Sequence, residues 1–141
     1  RRLLMNRRSF VITGLAAFAT PSLVLAAPVA YTDGLAKTHL AKGEVVFLDF
    51  KADWCGTCKA QERVINALKG ENPDYEAKVT FINVDWDAHG KGALVKELNI
   101  PRRSTLVVLK GEEELGRIVA GTGKDEIKAL MDVALAAAAS S

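Results

Sequence analysis

The sequence predicts an α/β fold: a three-layer α/β/α sandwich around a central mixed sheet of about four strands. Three observations carry this. The run 45–50, apolar but for Asp49, has the length and composition of a central strand buried on both faces, and 79–84 and the apolar 105–109 read as further strands. Segments with helical spacing of apolar residues alternate with them, and a turn at Lys110–Glu113 folds the last two strands into a hairpin. The stretch that holds these elements, 27–141, is 115 residues long, which suits one domain with one core.

Residues 1–26 read differently. Arg1, Arg2, Arg7 and Arg8 precede an acid-free apolar run from Phe10 to Ala19, and Pro21 and small residues follow. This is the pattern of a secretory signal, with cleavage expected after Ala26 or, second, after Ala30. Thr13, Gly14, Thr20, Pro21 and Ser22 interrupt the run, which is too short to span a bilayer. Asn6-Arg7-Arg8-Ser9-Phe10-Val11 resembles the twin-arginine export motif, and Met5 is the natural start. Four of the 19 Lys+Arg and none of the 17 Asp+Glu lie in this leader, so the rest carries a net charge of −2. No basic patch with interleaved aromatics remains, which excludes nucleic acid as the expected partner. Export places the chain in the periplasm, where disulfides persist.

The elements after the leader follow in order. Tyr31 to Lys42 is expected to be a helix capped by Thr32 or Asp33 and ended by Gly43. Val45–Phe50 is the first strand, broken in polarity only by Asp49. A helix starts at Cys55 and runs to about Lys69, with Val64, Ile65 and Leu68 inward. Tyr75 leads into the strand Val79–Val84, and Asp85 to Gly90 is a loop whose two carboxylates are too few for a calcium site. Gly92 to Asn99 is a short helix, and Pro101 moves the chain out of helix before the strand Thr105–Leu109. Leu115 to Ala120 is the last strand, and a final helix runs from Lys124 to about Ala138. No extra first strand is evident.

Cys55 and Cys58 are the only cysteines. On the first turn of a helix they close a small disulfide ring with little backbone movement. At the helix N-terminus, free N–H groups and the positive dipole end stabilise the Cys55 thiolate, making Cys55 the nucleophile and Cys58 the resolving thiol. A zinc site needs two further ligands, and His39 and His89 lack the usual spacing. A structural disulfide gains little from so short a loop. A redox pair remains. Asp49, costly inside a buried strand unless paired or protonated, is then a functional residue.

The run strand-Asp49-Phe50-x-Ala52-Asp53-Trp54-Cys55-x-x-Cys58-Lys59 resembles the active site of the thioredoxin family of thiol:disulfide oxidoreductases. The likeness covers most of the chain after the leader and is specific around 45–62. It implies a thioredoxin-like fold and makes Asp49, six residues before Cys55, the buried aspartate that takes the proton of Cys58. Glu62 matches the second carboxylate in the C-terminal domain of the periplasmic protein DsbD, where it shares or tunes that proton; its other reading is an exposed helix position. Trp54 shields the disulfide's edge and offers an apolar docking surface, or is an ordinary half-buried aromatic.

Ser104 stands where this family carries a cis-proline, in a register that matches Thr105 and Lys110. Either the Arg103–Ser104 bond is trans and the loop differs, or it is a strained cis bond. The expectation is cis, with Ser104 facing Cys55, its backbone pairing with client peptide, Thr105 also binding substrate, and Arg102 and Arg103 favouring anionic partners. A hydroxyl in place of the ring leaves the thiolates more open to adventitious metal. No resident cofactor or metal is implied. The expected partners are disulfide-containing exported proteins and an upstream electron donor, a membrane thiol reductant. The competing class is a non-enzymatic redox-sensitive binding or metal-delivery module using the same thiols.

Overall fold

The computed structural model describes residues 27–140, so the expectations for the leader lie outside the described residues. The elements are β1 (Val29–Ala30), α1 (Leu35–Ala41), β2 (Val45–Lys51), α2 (Gly56–Glu71), α3 (Asp74–Lys78) and β3 (Thr80–Asp85). They continue with α4 (Trp86–His89), α5 (Ala93–Leu98), β4 (Thr105–Lys110), β5 (Glu113–Val119) and α6 (Lys124–Ala139).

The apolar run 45–50 becomes the centre of the sheet because every residue in it is buried. The strand order is β1-β3-β2-β4-β5. β1 and β2 pair with β3 in parallel, while β4 is antiparallel to both β2 and β5. Side chains of β2 alternate between two cores. Val45 and Phe47 pack with Ile65, Leu68, Tyr75, Ile127 and Met131 of the α2, α3 and α6 layer. Val46, Leu48 and Phe50 pack with Ala36, Leu94 and Val95 of the α1 and α5 layer. By that alternation Asp49 falls on the face that α2 covers.

The sheet has five strands, one more than the four expected. β1 is two exposed residues held by the edge of β3, too short to leave a period-two signal. α3 replaces the irregular approach to β3, anchored by buried Tyr75, whose hydroxyl donates to Asp132 of α6. The expected loop after β3 is the single turn α4, which Asp85 caps by accepting from the Asp87 N–H at 3.0 Å. α1 begins later than expected because neither Thr32 nor Asp33 caps it; Gly34, at φ +81°, turns the chain into it instead. Among the described residues no helix is long and apolar enough to cross a membrane.

Candidate active site

β2 ends at Lys51, and the chain crosses the end of the sheet through Ala52–Trp54 before α2 begins. Cys55 is the N-cap of α2 in an extended conformation, and its Sγ accepts the Cys58 N–H at 3.2 Å. The two cysteines form a disulfide, packed against Ala52 and Trp86. Cys55 keeps 2% of its surface and Cys58 none, so a partner's sulfur reaches the pair at Cys55. The N-cap position aims a helix-end donor, the Cys58 N–H, at the Cys55 sulfur.

Ser104 sits over this disulfide, fully buried, with its Oγ 3.1 Å from both Sγ atoms. The described residues contain no cis peptide bond, so the expected cis bond before Ser104 is corrected: Ser104 is trans with φ +63°. Serine lacks the ring that removes most of the trans preference. A left-handed residue costs about 1–2 kcal/mol against about 2.5–4 kcal/mol for a cis bond at a non-proline. The Ser104 backbone groups are engaged within the chain. Its N–H donates to the Phe50 carbonyl at 2.7 Å, and its carbonyl accepts from the Ala120 N–H at 2.8 Å. Thr105 is likewise fully buried, its Oγ1 donating to the Arg102 carbonyl at 2.7 Å, so it braces the loop.

Gln61, which sequence reasoning missed, holds this arrangement. Fully buried on α2, it donates from Nε2 to the carbonyls of Ser104 and Gly121, each at 2.9 Å. It ties the loop before β4 to the loop after β5, where Ala120 is also left-handed at φ +62°. The available signal was spacing. Cys58, Gln61, Ile65 and Leu68 form one inward stripe, and a polar residue in such a stripe needs a partner. Gln61→Ala is expected to cost roughly 2–4 kcal/mol in urea unfolding, from a cavity and an unpartnered Gly121 carbonyl; a loss under about 0.5 kcal/mol would mean the loops hold without it.

Asp49 is 6% exposed, with Oδ1 lacking a hydrogen-bond partner. Burial pushes its pKa up to about 7; Lys51 and Lys69 oppose the rise and Glu62 adds to it. A cavity of about 90 Å³ lies beside it, lined by Asp49, Lys51, Glu62, Asn66, Lys69 and Asn83 among others. Glu62 is half-exposed and accepts from Lys51 Nζ at 2.9 Å. It is an ion-paired, half-exposed wall of the Asp49 cavity, and its charge adds to the rise of the Asp49 pKa, in keeping with the tuning reading. Lys69 was also missed. It is 4% exposed, with its ammonium 3.9 Å from the centre of the Phe81 ring and 3.4 Å from Glu76. Burial lowers its pKa.

The sequence model of the thioredoxin family matches residues 28–133. The chain belongs to the thioredoxin family. It is a thioredoxin-type disulfide oxidoreductase with Cys55 and Cys58 as its redox pair. It is 36% identical over 96 residues to thioredoxin H2-1 of Oryza sativa subsp. japonica, covering 68% of this chain but only 64% of the rice protein. It is 30% identical over 99 residues to a thioredoxin of Mycolicibacterium smegmatis, covering 70% and 86% of the two chains. Among solved structures, Trxlp from Edwardsiella tarda superposes with a TM-score of 0.60 at 27% identity, covering 74% of this chain and 95% of that one.

On this thioredoxin fold the rim of the site is built from Trp54. The residue is 58% exposed, neither half-buried nor lying loose. Its Nε1 donates to both carboxylate oxygens of Asp87, at 3.0 and 3.1 Å, and the Arg103 guanidinium stacks 4.5 Å from its ring centre. Such stacking leaves one face of the indole and the Arg103 charge beside the route to Cys55. Arg102 turns back, its Nε donating to the Arg103 carbonyl at 3.0 Å. Among the described residues no group of three or more His, Cys, Asp or Glu is placed to hold a metal ion.

Proposed function

We propose that this enzyme works after export, reducing or exchanging disulfides in periplasmic proteins with electrons from an upstream membrane thiol reductant. The observation that carries the chemistry is the Cys55 N-cap with Cys58 sealed behind it. The basic, acid-free leader at residues 1–26 supports the location.

In the reductive direction the Cys55 thiolate attacks one sulfur of a client disulfide. The Cys55–client bond forms, the client S–S bond breaks, and the other client sulfur leaves as a thiolate. Cys58 then gives its proton to Asp49 and attacks Cys55. The Cys55–Cys58 bond forms as the Cys55–client bond breaks, and the second client sulfur leaves. Two electrons have passed to the client, and the donor dithiol restores the pair. Asp49 suits the acceptor role because its pKa of about 7 lies near neutral working pH. Trp54 and Arg103 offer an apolar face and a cation to the client segment beside its disulfide.

The test is insulin reduction by the 27–141 protein with dithiothreitol as donor. Catalysed precipitation above the uncatalysed rate is expected. Absence of turnover, together with tight metal binding by the reduced protein, would replace this reading with the binding or metal-delivery module. For location, expression of the full chain in a bacterium should yield a periplasmic protein whose N-terminus is Ala27. Recovery of the uncleaved chain in the cytoplasm alone would remove the exported part of the proposal.

A further inference from the structure

We propose that the Ser104 hydroxyl is a catalytic group of the reduced enzyme, donating its hydrogen bond to the Cys55 thiolate while accepting one from the Cys58 thiol. This rests on the disulfide-exchange reading and assigns a residue to that same site. Ser104 Oγ is 3.1 Å from each sulfur and, among the described residues, has no other hydrogen-bond partner. The residue is fully buried, which keeps solvent from competing for it. Its backbone is pinned by the Phe50 carbonyl, the Ala120 N–H and Gln61, so the hydroxyl is placed before any client arrives.

A hydroxyl has one hydrogen to give and two lone pairs to accept with. In the disulfide neither sulfur carries hydrogen, so Ser104 can only donate, and to one sulfur at a time. Adding two electrons and one proton gives a thiolate at Cys55 and a thiol at Cys58. The same oxygen then satisfies both sulfurs at once, and Cys55 receives a second donor besides the Cys58 N–H. Those donors favour the reduced pair over the disulfide. During release the Cys58 proton goes to Asp49 and the serine keeps its own, turning it toward Cys58 as the thiolate forms there. A proline at this position supplies neither the donor nor the acceptor.

The experiment is iodoacetamide alkylation of reduced protein across pH, comparing wild type with Ser104→Ala and Ser104→Gly. Glycine accepts φ +63° without strain, so it covers the case in which the alanine variant fails to fold. The Cys55 midpoint is expected to rise by about one pH unit in each folded variant. Equilibration with glutathione should shift roughly tenfold toward the disulfide, about 30 mV for a two-electron couple. A Gly variant whose midpoint moves by less than about 0.3 unit overturns the assignment. The alkylation profile needs no client and no donor. A flat profile therefore sinks the role of Ser104 while leaving insulin reduction to judge the disulfide-exchange reading separately.

Discussion

Cys55→Ser is expected to abolish insulin reduction, whereas Cys58→Ser should keep the first step and accumulate a mixed disulfide with client. The asymmetry follows from position. Cys55 is the helix N-cap, accepts the Cys58 N–H and holds what little surface the pair exposes, so only its sulfur is both charged and reachable. Cys58 has no exposed surface and acts only on a sulfur already attached to its neighbour. Non-reducing electrophoresis of the Cys58→Ser variant with an oxidised client reads the trapped species. In the reduced wild type, limited alkylation at pH 7 followed by peptide mapping should label Cys55 first. Preferential labelling of Cys58 would reverse the two assignments.

Asp49→Asn is expected to make the protein more stable and a poorer enzyme. The Asp49 pKa rises from 3.8 to about 7 on folding, because burial disfavours the carboxylate. The folded state therefore holds a proton that the unfolded state releases, between about pH 4 and 7. Stability contributed by the protonated form is full below about pH 4 and is lost as pH rises to about 7. At about 1.36 kcal/mol per unit the loss is on the order of 4 kcal/mol. Asparagine removes that titration, so the variant should match wild type near pH 4 and exceed it by a few kcal/mol at pH 8 in urea unfolding. An unchanged pH dependence would place Asp49 in water.

The kinetic half of this prediction is separate. Release of the mixed disulfide needs an acceptor for the Cys58 proton, and the initial attack by Cys55 does not. Asp49→Asn should slow release by roughly 10²–10⁴-fold while leaving attack nearly unchanged. Wild-type release should climb with pH to a plateau near 7. In the variant the climb should move toward the ordinary thiol range, about 8.5. Stopped-flow Trp54 fluorescence with a single-disulfide client separates the two steps. Equal slowing of both would remove the general base.

Much of this enzyme is legible in one dimension because the signals are local. An apolar run of six residues has to be a buried strand, and Asp49 within it needs a reason. A Cys-x-x-Cys pair entering a helix fixes which sulfur receives the helix-end donors, so Cys55 and Cys58 differ before any contact is known. The resemblance to the family, with the register counted back from Lys110, places Ser104 beside the disulfide, and its Oγ lies 3.1 Å from both sulfurs. Long-range pairing decided the rest. Whether Ser104 is cis or left-handed depends on carbonyl and amide partners in Phe50, Ala120 and Gln61, which come from three other elements. Likewise β1 is held by the edge of β3, and Glu62 of α2 meets Lys51 of β2 at the wall of the Asp49 cavity. Hydrophobic period and helix-end electrostatics are properties of neighbours in sequence; hydrogen-bond satisfaction in the interior belongs to neighbours in space, and only the folded chain brings those together.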